Sequence, residues 1–264
     1  EKHPEISKRI KQIFSDLKSQ YSDVIDENEK IDLNDKSIVH IVGALQSFSI
    51  TNAPRDAIGD AFEVFIGKAL KGGQGQFFTP RNVVKMVIDM LNPGIDDKII
   101  DPACGSGGFL VRSINALKNK FNLSIEEAVS HNRGVDINSQ SVSCAKILIE
   151  LYGLSHNIIL TNLDKNIICS DTLLTNSDTL LKQLNTKDGI DILVTNPPFV
   201  KLQNISINVR EQLINKYPQF TNGSFSFSML FLIAGKKLLS NRGVLGYITQ
   251  NNMFTSLASR EIRK

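Results

Sequence analysis

Only three of the 264 residues are cysteine, and none is tryptophan. Cys104, Cys144 and Cys169 cannot all pair, and no C-x-x-C or histidine-rich spacing accompanies them. A disulfide-stapled scaffold and a structural zinc site are therefore excluded from the expectation, and a reducing, cytoplasmic setting is expected. Long hydrophobic runs are also missing: the longest, Met229 to Ala234, is far too short to cross a bilayer. The stretch from Glu1 to Gln20 mixes charges with isolated apolar residues, which is unlike a secretory signal. Glycine and proline, at 17 and 8 residues, fall well short of collagen-like or low-complexity levels. With 41% hydrophobic residues the chain can bury the core of one large domain, or of a core plus a smaller unit.

One further scarcity is local. Residues 192–264 contain only two acids, Glu211 and Glu261, against nine Lys and Arg, so this quarter carries +7. Residues 1–191 carry 21 basic and 25 acidic residues, a balance of −4. The formal net charge of +3 conceals this division. A basic segment of this kind either forms a solvated lysine-rich surface or faces an anion such as nucleic acid.

The first third reads as helical. Ile6, Ile10, Ile13, Phe14 and Leu17 recur at helical spacing, and an acidic linker or turn follows from Asp23 to Asp35. Two further helices are expected over Lys36–Phe48 and Arg55–Leu70, the second stopped by Gly72, Gly73 and Gly75. From Lys98 onward, short apolar strands alternate with helices. Strands are expected at Lys98–Asp101, Gly134–Ile137, Ile167–Ser170, Ile190–Thr195 and Val244–Thr249. Helices are expected at Gly107–Lys120, Ser139–Tyr152 and Phe225–Leu239. The fold class is therefore α/β: a parallel sheet covered on both faces, preceded by a helical region over residues 1–75. Such sheets bind ligands at the carboxyl ends of their strands.

The chemistry-bearing residues fall at those ends. The first strand runs into Asp101-Pro102-Ala103-Cys104-Gly105-Ser106-Gly107-Gly108, where three glycines in four residues let the backbone approach a ligand and turn into a helix. The loop lacks the Lys-Ser/Thr ending of a phosphate-binding NTPase loop, which argues against ATP or GTP. Asp136 ends the second strand, where an acid can bind the two hydroxyls of a ribose. Asp171 follows the third, placed to accept from an adenine amino group. Taken singly, an aspartate at a strand end is more often a helix cap; two of them after one glycine loop that opens with Asp101 shift the balance toward a ligand. The fourth strand ends in Asn196-Pro197-Pro198-Phe199, where two prolines remove two N–H donors and leave carbonyls plus one side-chain amide. Such a group suits a planar amino nitrogen, which needs two acceptors, with Phe199 stacking on the flat base; the plainer reading is a proline-rich strand stop.

The ordered set Gln76-Phe77-Phe78-Thr79-Pro80, DPACGSGGFL at 101–110, Asp136, Ser170-Asp171-Thr172-Leu173 and NPPF at 196–199 resembles the amino-methylating DNA methyltransferases. The likeness is strongest to the modification subunits of type I restriction-modification systems, with the methylase regions of single-chain restriction-modification enzymes nearly as similar. It begins at Asp56–Glu63 and covers about residues 55–264. The resemblance implies a Rossmann-like S-adenosylmethionine-dependent methyltransferase core over residues 76–264, C-terminally truncated relative to the family's sheet. The implied cofactor is S-adenosyl-L-methionine. Thr79, Asp101, Gly105 and Gly107 would hold its methionine portion, Asp136 would bind its ribose and Asp171 its adenine, with Phe78 and Ala103 also among the cofactor-binding residues.

The same resemblance implies an activity: methylation of the exocyclic N6 amine of adenine in double-stranded DNA, catalysed by Asn196, Pro197 and Phe199 without a metal. The target atom is inaccessible in a duplex, so the base must flip out. Lys201, Arg210 and Lys216, in a polar stretch with one acid, are candidates for phosphate contact, or else belong to a variable solvated loop. Phe225, Phe227 and Phe231 read as core rather than stacking residues. Cys104 reads as a small packed residue in the cofactor loop, so no cysteine is placed for covalent attack on a cytosine. His3, His40, His131 and His156 show neither metal nor triad spacing. No target-recognition domain is found, so a specificity partner or further chain is expected to supply sequence recognition. Two alternatives stay open: a same-fold protein glutamine methyltransferase, and a cofactor-binding subunit inactive without its specificity partner.

Overall fold

The computed structural model describes residues 3–21, 25, 27–47, 79–200, 205–221 and 225–255. The helix expected over Arg55–Leu70 with its glycine stop, together with Phe78, Lys201, the boundary at residue 75 and the closing residues 260–264, lies outside them.

Helices α1 (His3–Gln20) and α2 (Asp35–Leu45) form a pair at the start of the chain. The Asn34 side chain caps α2 by accepting from the Ser37 N–H, and Ser7 Oγ donates to Asp35 Oδ1 across the pair at 2.5 Å. α3 (Arg81–Leu91) follows Pro80, whose fixed φ starts the helix and whose carbonyl accepts from Val83 and Val84 N–H.

Five strands then form one parallel sheet: β1 (Ile99–Asp101), β2 (Asn132–Asp136), β3 (Ile167–Cys169), β4 (Ile190–Thr195) and β5 (Leu239–Tyr247), in the order β3-β2-β1-β4-β5. The intervening helices are α4 (Gly108–Phe121), α5 (Ile125–Ser130), α6 (Ser139–Leu154), α7 (Ser177–Gln183), α8 (Ile207–Lys216) and α9 (Phe227–Lys236).

Alternation along each strand divides the core into two layers. Ile99, Ile192 and Val194 face α3, α4 and α6 through Ile88, Leu110, Ile114, Ala145 and Ile149. Ile100, Leu193 and Val135 face the opposite way, against Leu180, Leu184 and Leu238. Gly235 of α9 lies on this second face, since a Cβ there would be 2.8 Å from Leu193 Cδ1. Helices α3, α4 and α6 therefore cover one face, and α7 and α9 the other. The reversal of direction falls between β1 and β4, and at that point the strand ends diverge to leave a crevice.

Gly134 in β2 shows how tightly the loop after β1 is seated. A Cβ there would lie 2.8 Å from Leu110 Cδ1, 3.2 Å from Cys104 Sγ and 3.3 Å from Ile167 Cγ2. Because these contacts are to buried side chains with no room to yield, Gly134→Ala is expected to cost about 1–3 kcal/mol of stability in urea unfolding. An unchanged midpoint would show that the loop can be displaced freely.

Several boundaries differ from the sequence expectation. α9 is shorter at both ends than Phe225–Leu239, because the Ser226 side chain caps it through Met229 N–H and the Lys237 N–H closes onto the Ala234 carbonyl. β5 begins at Leu239 rather than Val244. Leu239 pairs with Ile190 and Val244 with Ile192, so five residues of β5 advance the register by only two on β4. This bulge needs glycine: a Cβ on Gly243 would be 2.7 Å from the Ile190 carbonyl, and Gly189 has φ +88°. The three cysteines are free, and no described helix is long and apolar enough to cross a membrane.

Candidate functional site

The carboxyl ends of β1 through β4 open into one cavity of about 320 Å³. A pocket of this size can enclose a small organic ligand. Its wall brings together residues from five distant stretches: Thr79, the loop 101–108, Asp136 and Ile137, the turn 170–174, and Asn196 to Val200.

The loop after β1 is held by hydrogen bonds at both sides. Cys104 N–H donates to the Val135 carbonyl at 2.9 Å, and Gly105 N–H donates to Asp136 Oδ2 at 2.9 Å. Gly105 and Gly107 adopt φ of +52° and +87°, a region that glycine enters without steric cost. They differ in what surrounds them. A Cβ on Gly107 would meet Ala145 Cβ at 3.1 Å, so this glycine lets α6 approach the loop. A Cβ on Gly105 would have no atom within 4 Å, so this glycine leaves open space on the cavity wall. Cys104 itself is buried, and burial pushes its thiol up, which suits a packed residue and not a nucleophile.

Three carboxylates stand at consecutive strand ends. Asp101 is 2% exposed and accepts from Ala103 N–H at 3.1 Å. Burial raises its pKa to about 7; the nearby Thr195 hydroxyl and the Ala103 N–H pull it back, and the Asp136 charge adds to the rise. Asp136 accepts from Gly105 N–H through one oxygen and from Asn138 N–H through the other, both at 2.9 Å, and burial raises its pKa. Asp171 accepts from Leu173 and Leu174 N–H through Oδ1 alone, at 2.8 and 2.9 Å. It thus caps the turn as a lone strand-end aspartate does, and its second oxygen accepts no hydrogen bond among the described residues.

That turn is braced from two sides. Thr172 Oγ1 donates to the Pro102 carbonyl at 2.6 Å, joining it to the glycine loop. Tyr217 Oη donates to the Leu173 carbonyl at 2.8 Å, and Lys216 Nζ donates to the Thr175 carbonyl at 2.7 Å. Lys216 Nζ also lies 5.6 Å from the Tyr217 ring centroid, as does Lys237 Nζ. Nothing in the residue pattern marks Tyr217 and Thr172 as braces, because their partners are carbonyls 44 and 70 positions away. Arg210, on the same helix as Lys216, is exposed.

The segment after β4 supplies acceptors without partners. Asn196 Nδ2 donates to Thr79 Oγ1 at 2.9 Å, whereas Asn196 Oδ1 is buried and accepts no hydrogen bond among the described residues. The Pro197 carbonyl likewise accepts no hydrogen bond among the described residues. Phe199 is half-buried on the cavity wall. Phe225 and Phe231 are buried as expected of core residues, packed with Leu173, Leu213 and Leu230. Phe227 and Phe231 also line the cavity, a double role that their position on a mostly apolar helix conceals. No group of His, Cys, Asp and Glu that could hold a metal occurs among the described residues.

Residues 53–264 match the N-6 DNA Methylase family. The chain belongs to that family. Among curated proteins it is similar to the type I restriction enzyme EcoEI methylase subunit of Escherichia coli, 29% identical over 147 residues, 55% of this chain and 28% of that protein. It is similar also to the type II methyltransferase M.VspI of Vibrio sp. (strain 343), 23% identical over 211 residues, 79% of this chain and 45% of that one. The chain spans less than half the length of these curated relatives. The solved type I restriction-modification methyltransferase subunit from Streptococcus thermophilus aligns over 87% of this chain and 46% of its own, with TM-score 0.59 and 20% identity. The α/β fold with N-terminal helices and a five-stranded parallel sheet is thereby the class I fold of S-adenosylmethionine-dependent methyltransferases.

The cavity fits the cofactor that this N-6 methylase fold implies. Gly105 leaves a cradle that any larger residue would fill, and the carboxyls of Asp101, Asp136 and Asp171 on the same wall are acceptors of the kind that ribose hydroxyls and a positive charge require.

Proposed function

We propose that this chain is the catalytic part of a restriction-modification methylase that methylates the exocyclic N6 amine of an adenine flipped out of duplex DNA. The observation that carries the reading is Asn196 Oδ1, a buried amide oxygen that, like the Pro197 carbonyl beside it, accepts no hydrogen bond among the described residues. A buried acceptor left unsatisfied costs about 1–3 kcal/mol, so its retention asks for a donor that arrives with the substrate. An exocyclic amine brings two hydrogens to two acceptors. Adenine N6 is a poor nucleophile because its lone pair is delocalised into the ring. As the nitrogen turns tetrahedral and positive, Asn196 Oδ1 and the Pro197 carbonyl stabilise the developing charge. Phe199 stacks on the extruded base, a contact worth about 1–3 kcal/mol.

S-adenosyl-L-methionine would supply the electrophilic methyl group when bound. Thr79, Asp101, Gly105 and Gly107 would hold its methionine portion, with Asp136 at the ribose, Asp171 at the adenine, and Phe78 and Ala103 as further cofactor-binding residues. Arg210 and Lys201 are proposed for DNA phosphates, together with whatever donors Lys216 keeps beyond its bond to Thr175. Sequence recognition would come from a specificity subunit or further domain.

Asp101 gives this reading a pH signature. Its pKa is raised in the fold to about 7 against an ordinary 3.8, so the folded chain retains a proton there between about pH 4 and 7. The sign is that of a raised acid: stability falls as pH climbs through that window and levels off above it. A cationic ligand favours the carboxylate. The affinity for S-adenosylhomocysteine, whose ammonium persists throughout, is therefore expected to rise about tenfold from pH 6 to pH 8. Asp101→Asn should flatten the profile in calorimetric titrations.

The activity is tested by supplying methyl-labelled S-adenosylmethionine with duplex DNA, alone and with the cognate specificity subunit, and digesting the products. Label in N6-methyladenine is expected. Label in a protein glutamine amide, with none in DNA, would overturn the reading.

A further inference from the structure

The Thr79 hydroxyl occupies a position that cofactor contact alone does not explain. Thr79 immediately precedes Pro80, which is fixed at the start of α3 by two N–H bonds to its carbonyl. From there Oγ1 accepts from Asn196 Nδ2 at 2.9 Å, across 117 positions of chain. A primary amide rotated by half a turn exchanges its oxygen and nitrogen, so some partner must decide which faces the substrate. Here the partner receives the Nδ2 hydrogen, and the oxygen is left buried without a bond among the described residues.

We propose that Thr79 is a positioning residue for Asn196. Its hydroxyl sets the amide so that Oδ1 presents to the substrate amine, and it transmits cofactor occupancy to that amide. This rests on the proposed methylase reading for the identity of the amine, but the Thr79–Asn196 linkage does not. A hydroxyl has one hydrogen and two lone pairs. One lone pair takes the Asn196 N–H, and the hydroxyl hydrogen has no acceptor among the described residues. An acceptor on a ligand in the glycine-loop half of the cavity would take it. The Thr79 oxygen then becomes a better acceptor, which polarises the Asn196 amide and makes Oδ1 a better acceptor in turn. Filling one half of the cavity would prepare the other.

The test follows the Asn196 side-chain amide directly. In ¹⁵N-labelled full chain, with the resonance pair assigned by its loss in Asn196→Ala, one Nδ2 proton is expected downfield of the solvated asparagine range. It should shift further on titration with S-adenosylhomocysteine. Thr79→Val should return both protons to the solvated range, whereas Thr79→Ser, which keeps the hydroxyl, should retain the shift and its response to ligand. Thr79→Ala serves in place of the valine variant if the latter misfolds. Calorimetry on the same proteins should show the ligand's Kd raised by about 3–10-fold without the hydroxyl, as for one lost hydrogen bond. With S-adenosylmethionine at saturation, the methyl-transfer rate of the valine variant should remain depressed. An Asn196 amide that is indifferent to Thr79→Val, or a rate that recovers fully at saturation, would leave Thr79 as a cofactor contact only. If the amide responds while DNA receives no methyl group, the substrate reading fails and the positioning role stands.

Discussion

Asn196→Ala is expected to lower methyl transfer by about 10²–10³-fold, as for removal of a single preorganised donor or acceptor at developing charge. The affinity for S-adenosylhomocysteine should change by less than about threefold, because the variant loses only one neutral hydrogen bond to Thr79. The separation follows from where the side chain sits. Its oxygen has no partner to lose among the described residues, so their packing does not depend on it. The remaining acceptor at Pro197 can hold one amine hydrogen and not two, and the nitrogen lone pair is then no longer aimed. Single-turnover transfer at saturating cofactor, beside calorimetric binding, distinguishes the outcomes. Near-normal transfer would remove Asn196 from catalysis, and loss of both functions together would make it a structural residue.

The second large effect is expected at Asp136. Its two oxygens hold the N–H groups of Gly105 and Asn138, so one carboxylate secures both the glycine loop and the start of α6. Asp136→Ala should weaken S-adenosylhomocysteine binding by about 100-fold or more, since a charged hydrogen bond is worth about 1.5–3 kcal/mol and two are lost, apart from any ribose contact. Asp136→Asn keeps one acceptor and should fall between. The loop consequence can be read without ligand: hydrogen exchange at Gly105 and Ser106 should accelerate in the alanine variant. Wild-type affinity in Asp136→Ala would dismiss both the anchoring and the ribose roles.

Much of this architecture was legible in the residue order. Short apolar strands separated by amphipathic helices place a parallel sheet with no tertiary information, because backbone pairing and two-sided burial leave few other arrangements. The β1 loop, with its three glycines, and the β4 stop, with its two prolines, were legible for the same reason. Backbone torsions of such residues are restricted locally, whatever lies nearby. Some signals were present and carried no expectation. Ser124 and Glu127 form a reciprocal capping box that starts α5, and Ser206 caps α8 in the same local manner. α3, behind Pro80, is of this kind too.

Other features depend on partners far away in the chain. The register shift in β5 arises where Gly243 closes on the Ile190 carbonyl, and no window of sequence around either residue contains both. Asp101, Asp136 and Asp171 are alike as letters. Burial raises the first two, while the third keeps an oxygen that no described residue engages, because the protein around each differs in depth. The Asn196 amide is the clearest case. Its presence beside two prolines was plain from the residues alone, but which of its atoms is left to accept was not. That is settled by a hydroxyl 117 positions earlier, since an amide is nearly symmetric in shape and only a neighbour's hydrogen-bonding capacity distinguishes its ends. Local stereochemistry acts over a few residues and can be read in order; orientation, protonation and the pairing of distant polar groups arise only when the chain has closed upon itself.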